Sequence, residues 1–574
     1  MTLGINWKIC GPAGFGIMSV GRMFAKTCLR HGWQVFCYTE YPSLIRGGHN
    51  TYQVHANPKD VKSQKKNIEI LIALNENTIV QNQGELTDGG AVIYDPEKIP
   101  NIPDKKPSLK YLEVPLNKIS KEICGTDLMK NTVAMGASLG IYQGELEILN
   151  DLIKEEFASK KGKIIQQNIE AAKKGYEFVG QNSELITGKP KLTKIKAPER
   201  ILITGNEAVS LGALAAGCKF YAAYPMTPAT SILHFLAKQE RNYDMVVKQA
   251  EDEIAVINMA IGASFAGARS LCATSGGGFA LMNESLGFAA IAEIPLVVIL
   301  SQRTAPATGL PTWTGQGDLW HAVHASHGEF LRVVVAPGDS EEAFWATVGA
   351  FNLADKYQIP VIILLDKYTS EGPHSVAIFD TAKVKIDRGR ILTQTELDKI
   401  KDYKRYQFVA DGISARTLPG MKGGTYQANS DEHDEYGYST EEAEVRNKIM
   451  EKRMAKLPAL AQELPDPKIY GDKNADKTII CWGSTKMPAL EAMKELNNVQ
   501  LVHLQYLLPF PVDFFTKNIN PEKSIVIEGN QTGQLKQLIR QQTGINIQHS
   551  LLKYDGRPFY PEEIVEAINK LKSK

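Results

Sequence analysis

Several short stretches of this chain carry side chains whose types and spacing suit chemistry on a small anion. In Tyr224-Pro225-Met226-Thr227-Pro228, two prolines bracket one hydroxyl. Each proline fixes its own φ and restricts the residue before it, so Thr227 presents its hydroxyl and amide in a set direction, as a carboxylate would require. The same residues also suit a plain strand-to-helix turn, with Thr227 capping a helix that starts at Pro228. In Gln249-Ala250-Glu251-Asp252-Glu253, three acids open an apolar helix. Glu251 and Asp252 suit the helix dipole. Glu253 shares a stripe with Ile257, Ala260 and Ile261, which turns it inward, where a carboxylate needs a partner or a raised pKa. Its position fits a cap and a functional acid equally.

Thr274-Ser275-Gly276-Gly277-Gly278 joins a strand to a helix. Glycines there let backbone amides approach a ligand, although such turns favour glycine in any case. Arg303 leaves a strand end into a loop rich in Thr, Pro and Gly. It can grip a carboxylate with two hydrogen bonds or make a surface ion pair. His321, His324 and His327 recur every three residues and would form one stripe on a helix, but no carboxylate or cysteine cluster accompanies them, so no metal site is expected. Arg46 precedes the Gly47-Gly48 turn and suits either a structural turn or a ligand-gating loop. Gly11, Gly14 and Gly16 follow a strand, but their spacing departs from the dinucleotide-binding pattern and Pro12 alters the turn.

These residues must be positioned by alternating strands and helices. Three α/β blocks stand out: 1–187, 200–375 and 475–574. Basic, proline-bearing 188–199 reads as a linker, and polar, charged 376–474 as a connector that is either an ordered excursion or a mobile insertion. Within the second block, strands are expected at "RILITG", "KFYAAY", "DMVVKQ", "RSLCAT", "IPLVVIL", "FLRVVVA" and "IPVIILL". That alternation predicts a parallel sheet covered on both faces, with ligands outside the carboxyl ends of its strands.

The chain has 574 residues, 43% hydrophobic and 22% charged, with a net charge of +1. Length predicts roughly three or four domains. Near-neutral charge gives no reason to expect nucleic acid or an anionic membrane, and the apolar runs are strand-length. No basic stretch followed by an apolar core is seen near the start, so no signal peptide is expected. The seven cysteines are scattered without any C-x-x-C pair, which points to reduced, buried thiols in a cytoplasmic protein and gives no local support for zinc or an iron–sulfur cluster.

Taken in order, "AYPMTPAT", "QAEDEIAVINMAIGASFAGARS", "ATSGGGFALMNESLGFAAIAEIPLVV", "TGLPTWTGQGDL" and "SDEHDEYG" resemble the α subunit of 2-oxoacid:ferredoxin oxidoreductases, in the form with a γ domain fused at the N-terminus. The likeness is greatest to the 2-oxoglutarate branch and covers essentially the whole chain. It implies three α/β domains: a γ-type domain, a pyrimidine-binding domain of thiamine diphosphate enzymes and a transketolase C-terminal-like domain. Met226, Ala229, Gly277, Ala305 and Ala307 depart from the family pattern, as do Pro12 and Phe15, and these departures bear on the exact substrate.

The resemblance implies oxidative decarboxylation of a 2-oxoacid with coenzyme A, or the reverse carboxylation. Glu253 matches the carboxylate that hydrogen-bonds the aminopyrimidine ring. Thr227 and Arg303 match positions that hold the substrate's carboxylate and keto oxygen, with Tyr224, Pro225 and Arg46 alongside. Thr274, Ser275, Gly276 and Gly277 match the cofactor loop. The chain has no Gly-Asp-Gly motif for Mg²⁺ and diphosphate, nor a cysteine set for a cluster. The resemblance assigns both the Mg²⁺ site and a 4Fe-4S cluster to a β subunit, in an (αβ)₂ assembly that passes electrons to ferredoxin. Rival readings are the same chemistry on pyruvate or branched-chain 2-oxoacids, a non-catalytic scaffold subunit, and a nucleotide-binding protein using Gly11–Gly16.

Overall fold

The computed structural model describes residues 4–44, 47–181 and 188–571. The chain forms two compact units. One comprises Met1–Ile203, Gly372–Ile378 and Tyr560–Glu566, and the other the remainder.

The first unit is built on an eight-stranded mixed sheet. Its strand Ile5–Pro12 pairs antiparallel with His49–Asn57 and parallel with Ile68–Ala73. Helix Ile17–Arg30 follows the Gly14–Gly16 turn and buries Val20, Phe24 and Cys28. Strand Arg200–Ile203 was expected to open the second block's sheet. It pairs instead with His374–Ala377 at the edge of the first unit's sheet. Its four residues alternate too little to specify which sheet they join, so pairing with a segment some 170 residues on decides the matter. Residues 188–199 form neither helix nor strand. They nevertheless run along this unit: Leu192 is buried, and the Thr193 carbonyl accepts from Trp33 Nε1 at 2.9 Å.

The second unit holds a seven-stranded sheet and a five-stranded sheet. The seven-stranded sheet runs, in space, Val246–Gln249, Cys218–Ala223, Arg269–Thr274, Leu296–Gln302, Pro360–Asp366 and Val333–Val335, all parallel. An antiparallel edge strand, Tyr506–Leu508, completes it. Leu296–Gln302 and Pro360–Asp366 are buried at every residue, as expected for central strands covered on both faces. The five-stranded sheet is led by Lys477–Trp482 and Val499–Leu504. Ile480, Trp482 and Val502 share one apolar core with Val298, Leu300 and Ile362 of the larger sheet.

The connector is ordered. Its helix Ala443–Met454 brings Lys452 against Glu293 at 2.5 Å, and Lys456 reaches the other carboxylate oxygen at 2.6 Å. All three side chains are about 1% exposed. Arg405, equally buried, donates to the Glu293 carbonyl and lies over the rings of Tyr406 and Tyr426. Burial alone would raise Glu293, but the facing lysines and Arg405 overcome it and hold the carboxyl far below the usual range. Burial draws Lys452 down to about 7 against the pull of Glu293. Glu293→Gln leaves two buried ammonium groups without a counter-charge. It is expected to cost about 3–5 kcal/mol, read as a lower denaturation midpoint. An unchanged midpoint would show that the connector does not depend on this clamp.

Candidate functional site

The seven-stranded sheet has a point where its connections change direction. Cys218–Ala223 leads outward to Val246–Gln249, whereas Arg269–Thr274, its neighbour on the other side, leads to Leu296–Gln302. Open α/β sheets place ligands outside the carboxyl ends of the strands at such a reversal. Four loops of interest leave those ends.

The first is Tyr224–Ala229. Tyr224 is exposed, while Pro225 and Thr227 are half-buried. The following helix is Thr230–Gln239, and its N-cap, Ala229, has no side-chain cap bond. The capping alternative for Thr227 is therefore not what the fold uses. The Pro228 carbonyl is tied down by Asn206 Nδ2 at 2.7 Å, which fixes the turn from below. Within the chain, the Thr227 hydroxyl has no partner among the described residues, and its carbonyl accepts from Arg303 Nη1 at 3.0 Å. The loop after Leu296–Gln302 thus meets the loop after Cys218–Ala223. A guanidinium has five donors in a fork, and among the described residues Arg303 uses Nη1 alone, leaving an edge for an anion.

Glu253 is the first residue of helix Glu253–Phe265 and is only 3% exposed. The cap is made by Asp252, whose side chain accepts from the Ala255 N–H at 2.8 Å. Glu253 is thereby released from capping and turned inward. Its Oε1 accepts from the Thr274 hydroxyl at 3.4 Å, and that hydroxyl also lies 3.9 Å from Met226 Sδ. A Cβ at Gly278 would stand 2.3 Å from Glu253 Oε1 and 2.1 Å from Thr274 Oγ1. Only glycine permits this approach. Gly277, by contrast, is exposed and has nothing within 4 Å of its absent Cβ.

The sequence reading overlooked Asp318 and the two glutamines that hold it. Asp318 N–H donates to Gln302 Oε1 at 2.9 Å. Gln316 fastens the loop to the five-stranded sheet: its Nε2 donates to the Trp482 carbonyl at 3.0 Å and its Oε1 accepts from Gly529 N–H at 2.7 Å. Asp318 is 8% exposed, and its Oδ2 is buried without a hydrogen-bond partner, as is Ser275 Oγ. A Cβ at Gly276 would lie 2.5 Å from that oxygen. Burial pushes Asp318 up to about 6, with Arg303 pulling the other way. An aspartate in a glycine-rich loop reads as exposed from sequence alone, and only the fold buries it.

The remaining candidates lie apart or differ. The helix carrying His321 is Leu319–Val323; His324 is its C-cap and His327 falls beyond it, so the three histidines share no helical stripe. No group of metal-holding side chains occurs among the described residues. Arg46 lies outside the described residues. No helix among the described residues is long and apolar enough to cross a membrane.

Two family models match this chain: pyruvate flavodoxin/ferredoxin oxidoreductase, thiamine diP-bdg, over residues 211–452, and pyruvate ferredoxin/flavodoxin oxidoreductase over residues 6–178. The chain is 32% identical to subunit alpha of 2-oxoacid:ferredoxin oxidoreductase 2 of Aeropyrum pernix, over 99% of this chain and 97% of that protein. The chain belongs to the family of 2-oxoacid:ferredoxin oxidoreductase alpha subunits. It is also 29% identical to the 2-oxoglutarate oxidoreductase subunit KorA of Mycobacterium tuberculosis, over 97% of this chain and 90% of that one. Among solved structures, the 2-oxoglutarate:ferredoxin oxidoreductase from Magnetococcus marinus, with 2-oxoglutarate, coenzyme A and succinyl-CoA bound, matches with a TM-score of 0.90 at 31% identity, covering 99% of each chain. The segment matching the thiamine diphosphate-binding model of this alpha-subunit family contains Thr227, Glu253, Thr274–Gly278, Arg303 and Asp318.

The two glycines make a direct contrast. Gly278→Ala is expected to destabilise the isolated alpha subunit by about 1–3 kcal/mol through overpacking against Glu253, and Gly277→Ala to change it by less than about 0.5 kcal/mol. Parallel denaturation of the two variants checks this. Equal effects would mean that the close approach at Gly278 is not a constraint.

Proposed function

We propose that this alpha subunit supplies the pyrimidine half of a thiamine diphosphate site that decarboxylates 2-oxoglutarate oxidatively, with coenzyme A, to succinyl-CoA, CO₂ and reduced ferredoxin, or runs the reverse carboxylation. The observation that carries this reading is the convergence, at one strand-end reversal, of a buried carboxylate released from helix capping and an arginine with free donors beside an unpartnered hydroxyl. The choice of 2-oxoglutarate rests on the close match to the Magnetococcus marinus enzyme.

The residues present fit the cofactor's ring. Gly276 and Gly278 let Asp318 and Glu253 approach the backbone closely, and the buried Ser275 hydroxyl and Asp318 Oδ2 lack partners that a bound ring could supply. When bound, thiamine diphosphate supplies the nucleophilic carbon for the keto group and a place for the electrons released on decarboxylation. Glu253 would hold a proton between its carboxylate and a ring nitrogen, favouring the tautomer whose amino group acts as a base. Thr227 and Arg303 would orient the substrate carboxylate, the guanidinium bidentate and the hydroxyl fixed by its two prolines.

A β subunit would bring Mg²⁺, the diphosphate site and a 4Fe-4S cluster, in an (αβ)₂ assembly that reduces ferredoxin. The absence of a Gly-Asp-Gly motif in this chain supports that division. So do the exposed apolar side chains Tyr224, Ile254 and Leu281 around the site, which suit a protein partner. Seven cysteines without a disulfide suit a reducing cytoplasm.

The test is 2-oxoacid- and coenzyme A-dependent reduction of ferredoxin or a viologen by this chain co-expressed with a neighbour-encoded subunit bearing Gly-Asp-Gly and cysteines. Turnover with 2-oxoglutarate is expected, falling roughly 10²–10⁴-fold in Glu253→Gln. Thr227→Ala is expected to raise KM by about fivefold, the loss of one hydrogen bond. Preference for pyruvate would keep the mechanism and overturn the substrate. No turnover with any 2-oxoacid in a cofactor-loaded complex would favour the scaffold reading.

A further inference from the structure

Asp318 occupies an unusual position for an acid. Its backbone is clamped by Gln302 and its loop by Gln316, so the side chain is delivered to one place. There its Oδ2 is buried, unbonded and packed against the backbone of Gly276. Buried polar atoms are nearly always paired, so an orphan oxygen at a site whose neighbour Ser275 Oγ is also orphaned marks groups that await a ligand or a proton. The charged group acting on Asp318 is Arg303, yet the two make no ion pair within 4 Å among the described residues. Other titratable and charged side chains bordering these loops are Glu253, beyond Gly278, His321, on the helix that follows, Asp366, which accepts from the Thr314 hydroxyl at 3.3 Å, and Arg557, over the ring of Trp313.

We propose that Asp318 is a proton-holding positioning residue: its neutral carboxyl leaves the field of Arg303 to the substrate carboxylate, and binding of that anion draws one proton from solvent onto Asp318. The assignment rests on the reading of Arg303 as the carboxylate grip. An ionised Asp318 and a 2-oxoacid would compete for one guanidinium in a poorly solvated pocket, where like charges repel strongly. Burial that pushes the carboxyl up to about 6 agrees with this. The proton balance is simple: one is taken up on binding and returned on release, with no redox step.

If only the protonated form binds the anion, apparent affinity falls with the protonated fraction, roughly tenfold per pH unit above about 6. The experiment uses the assembled, thiamine diphosphate-loaded complex with 2-oxoglutarate as the probe. KM is followed from pH 5.5 to 8 in the parent and in Asp318→Asn, and binding is followed by calorimetry in two buffers of different ionisation enthalpy. In the parent, KM is expected to climb with pH and up to one proton to be taken up per site. In Asp318→Asn, the climb flattens and proton uptake disappears, whereas a merely structural role would raise KM at every pH and keep the slope. If the variant fails to assemble, calorimetry of the parent decides together with the infrared band of a protonated carboxyl at pH 6.

The same slope in both proteins, or no proton uptake in a parent that binds and turns over 2-oxoglutarate, overturns the Asp318 assignment alone. A complex that neither binds nor turns over any 2-oxoacid overturns the functional reading, and this one with it.

Discussion

Two carboxyl groups and two missing side chains share the same space, and the rest of the site depends on that arrangement. Glu253 Oε1 lies where a Cβ of Gly278 would intrude, and Asp318 Oδ2 lies where a Cβ of Gly276 would. Both glycines sit in the first turn of helix Gly276–Leu281, which follows Arg269–Thr274, one of the two strands flanking the reversal of chain direction. The sheet supplies the opening at that point. The glycines keep it narrow enough for backbone and acid to touch, and the acids come from separate elements, Glu253 from the start of its helix and Asp318 from the loop after Arg303. Any side chain at 276 or 278 would drive an acid out and collapse the geometry around Thr274 and Arg303.

The buried charges elsewhere in the second unit show how different this is. Asp355 receives Arg269 Nε on one oxygen and Arg416 Nη2 on the other, each at 2.9 Å. Glu293 likewise has one lysine on each oxygen. In both clusters every carboxylate oxygen is matched, because an unmatched buried charge would cost several kcal/mol. Those clusters fix the connector and the helix Ser340–Tyr357 against the sheet. At the strand-end reversal the pattern is inverted. Asp318 Oδ2, Ser275 Oγ, the Thr227 hydroxyl and an edge of Arg303 are left for something else to satisfy. Unmatched buried atoms also occur in this unit at Arg405 Nε and Nη1 and Arg416 Nε, so the argument for where the ligand sits is the gathering of unmatched groups at one strand-end reversal, not the presence of an orphan as such.

The alternation of strands and helices was readable because central parallel strands such as Leu296–Gln302 and Pro360–Asp366 are continuous apolar runs bounded by loops. The inward turn of Glu253 was readable from its spacing of four, seven and eight residues to Ile257, Ala260 and Ile261. Other features were not. Arg200–Ile203 carries the same kind of apolar run, and its partner, His374–Ala377, is far along the chain, so no local signal tells which sheet it joins. The histidine triplet has helical spacing, but the helix stops at Val323, after five residues. Asp318 was invisible for a related reason: its burial is imposed by Gln302 and Gln316, and through Gln316 by Trp482 and Gly529 on the other sheet. Contacts over such separations leave no periodicity to find.

That same long-range stitching explains why departures from the family pattern fall where they do. Gly277 stands in place of a proline, and it is exposed with open space around it, so its identity bears on no contact within this chain. Ala305 and Ala307 lie in the loop after Arg303, and both are exposed. Met226 is different: its sulfur lies 3.9 Å from the hydroxyl that also bonds Glu253, so a change there is felt at the acid. Substitutions on the open side of these loops alter what a partner or substrate meets. Those on the inner side alter how Glu253 and Thr274 are held. Changes at 277, 305 and 307 therefore leave the packing of Glu253 and Arg303 untouched, whereas a change at Met226 reaches Thr274 and, through its hydroxyl, Glu253.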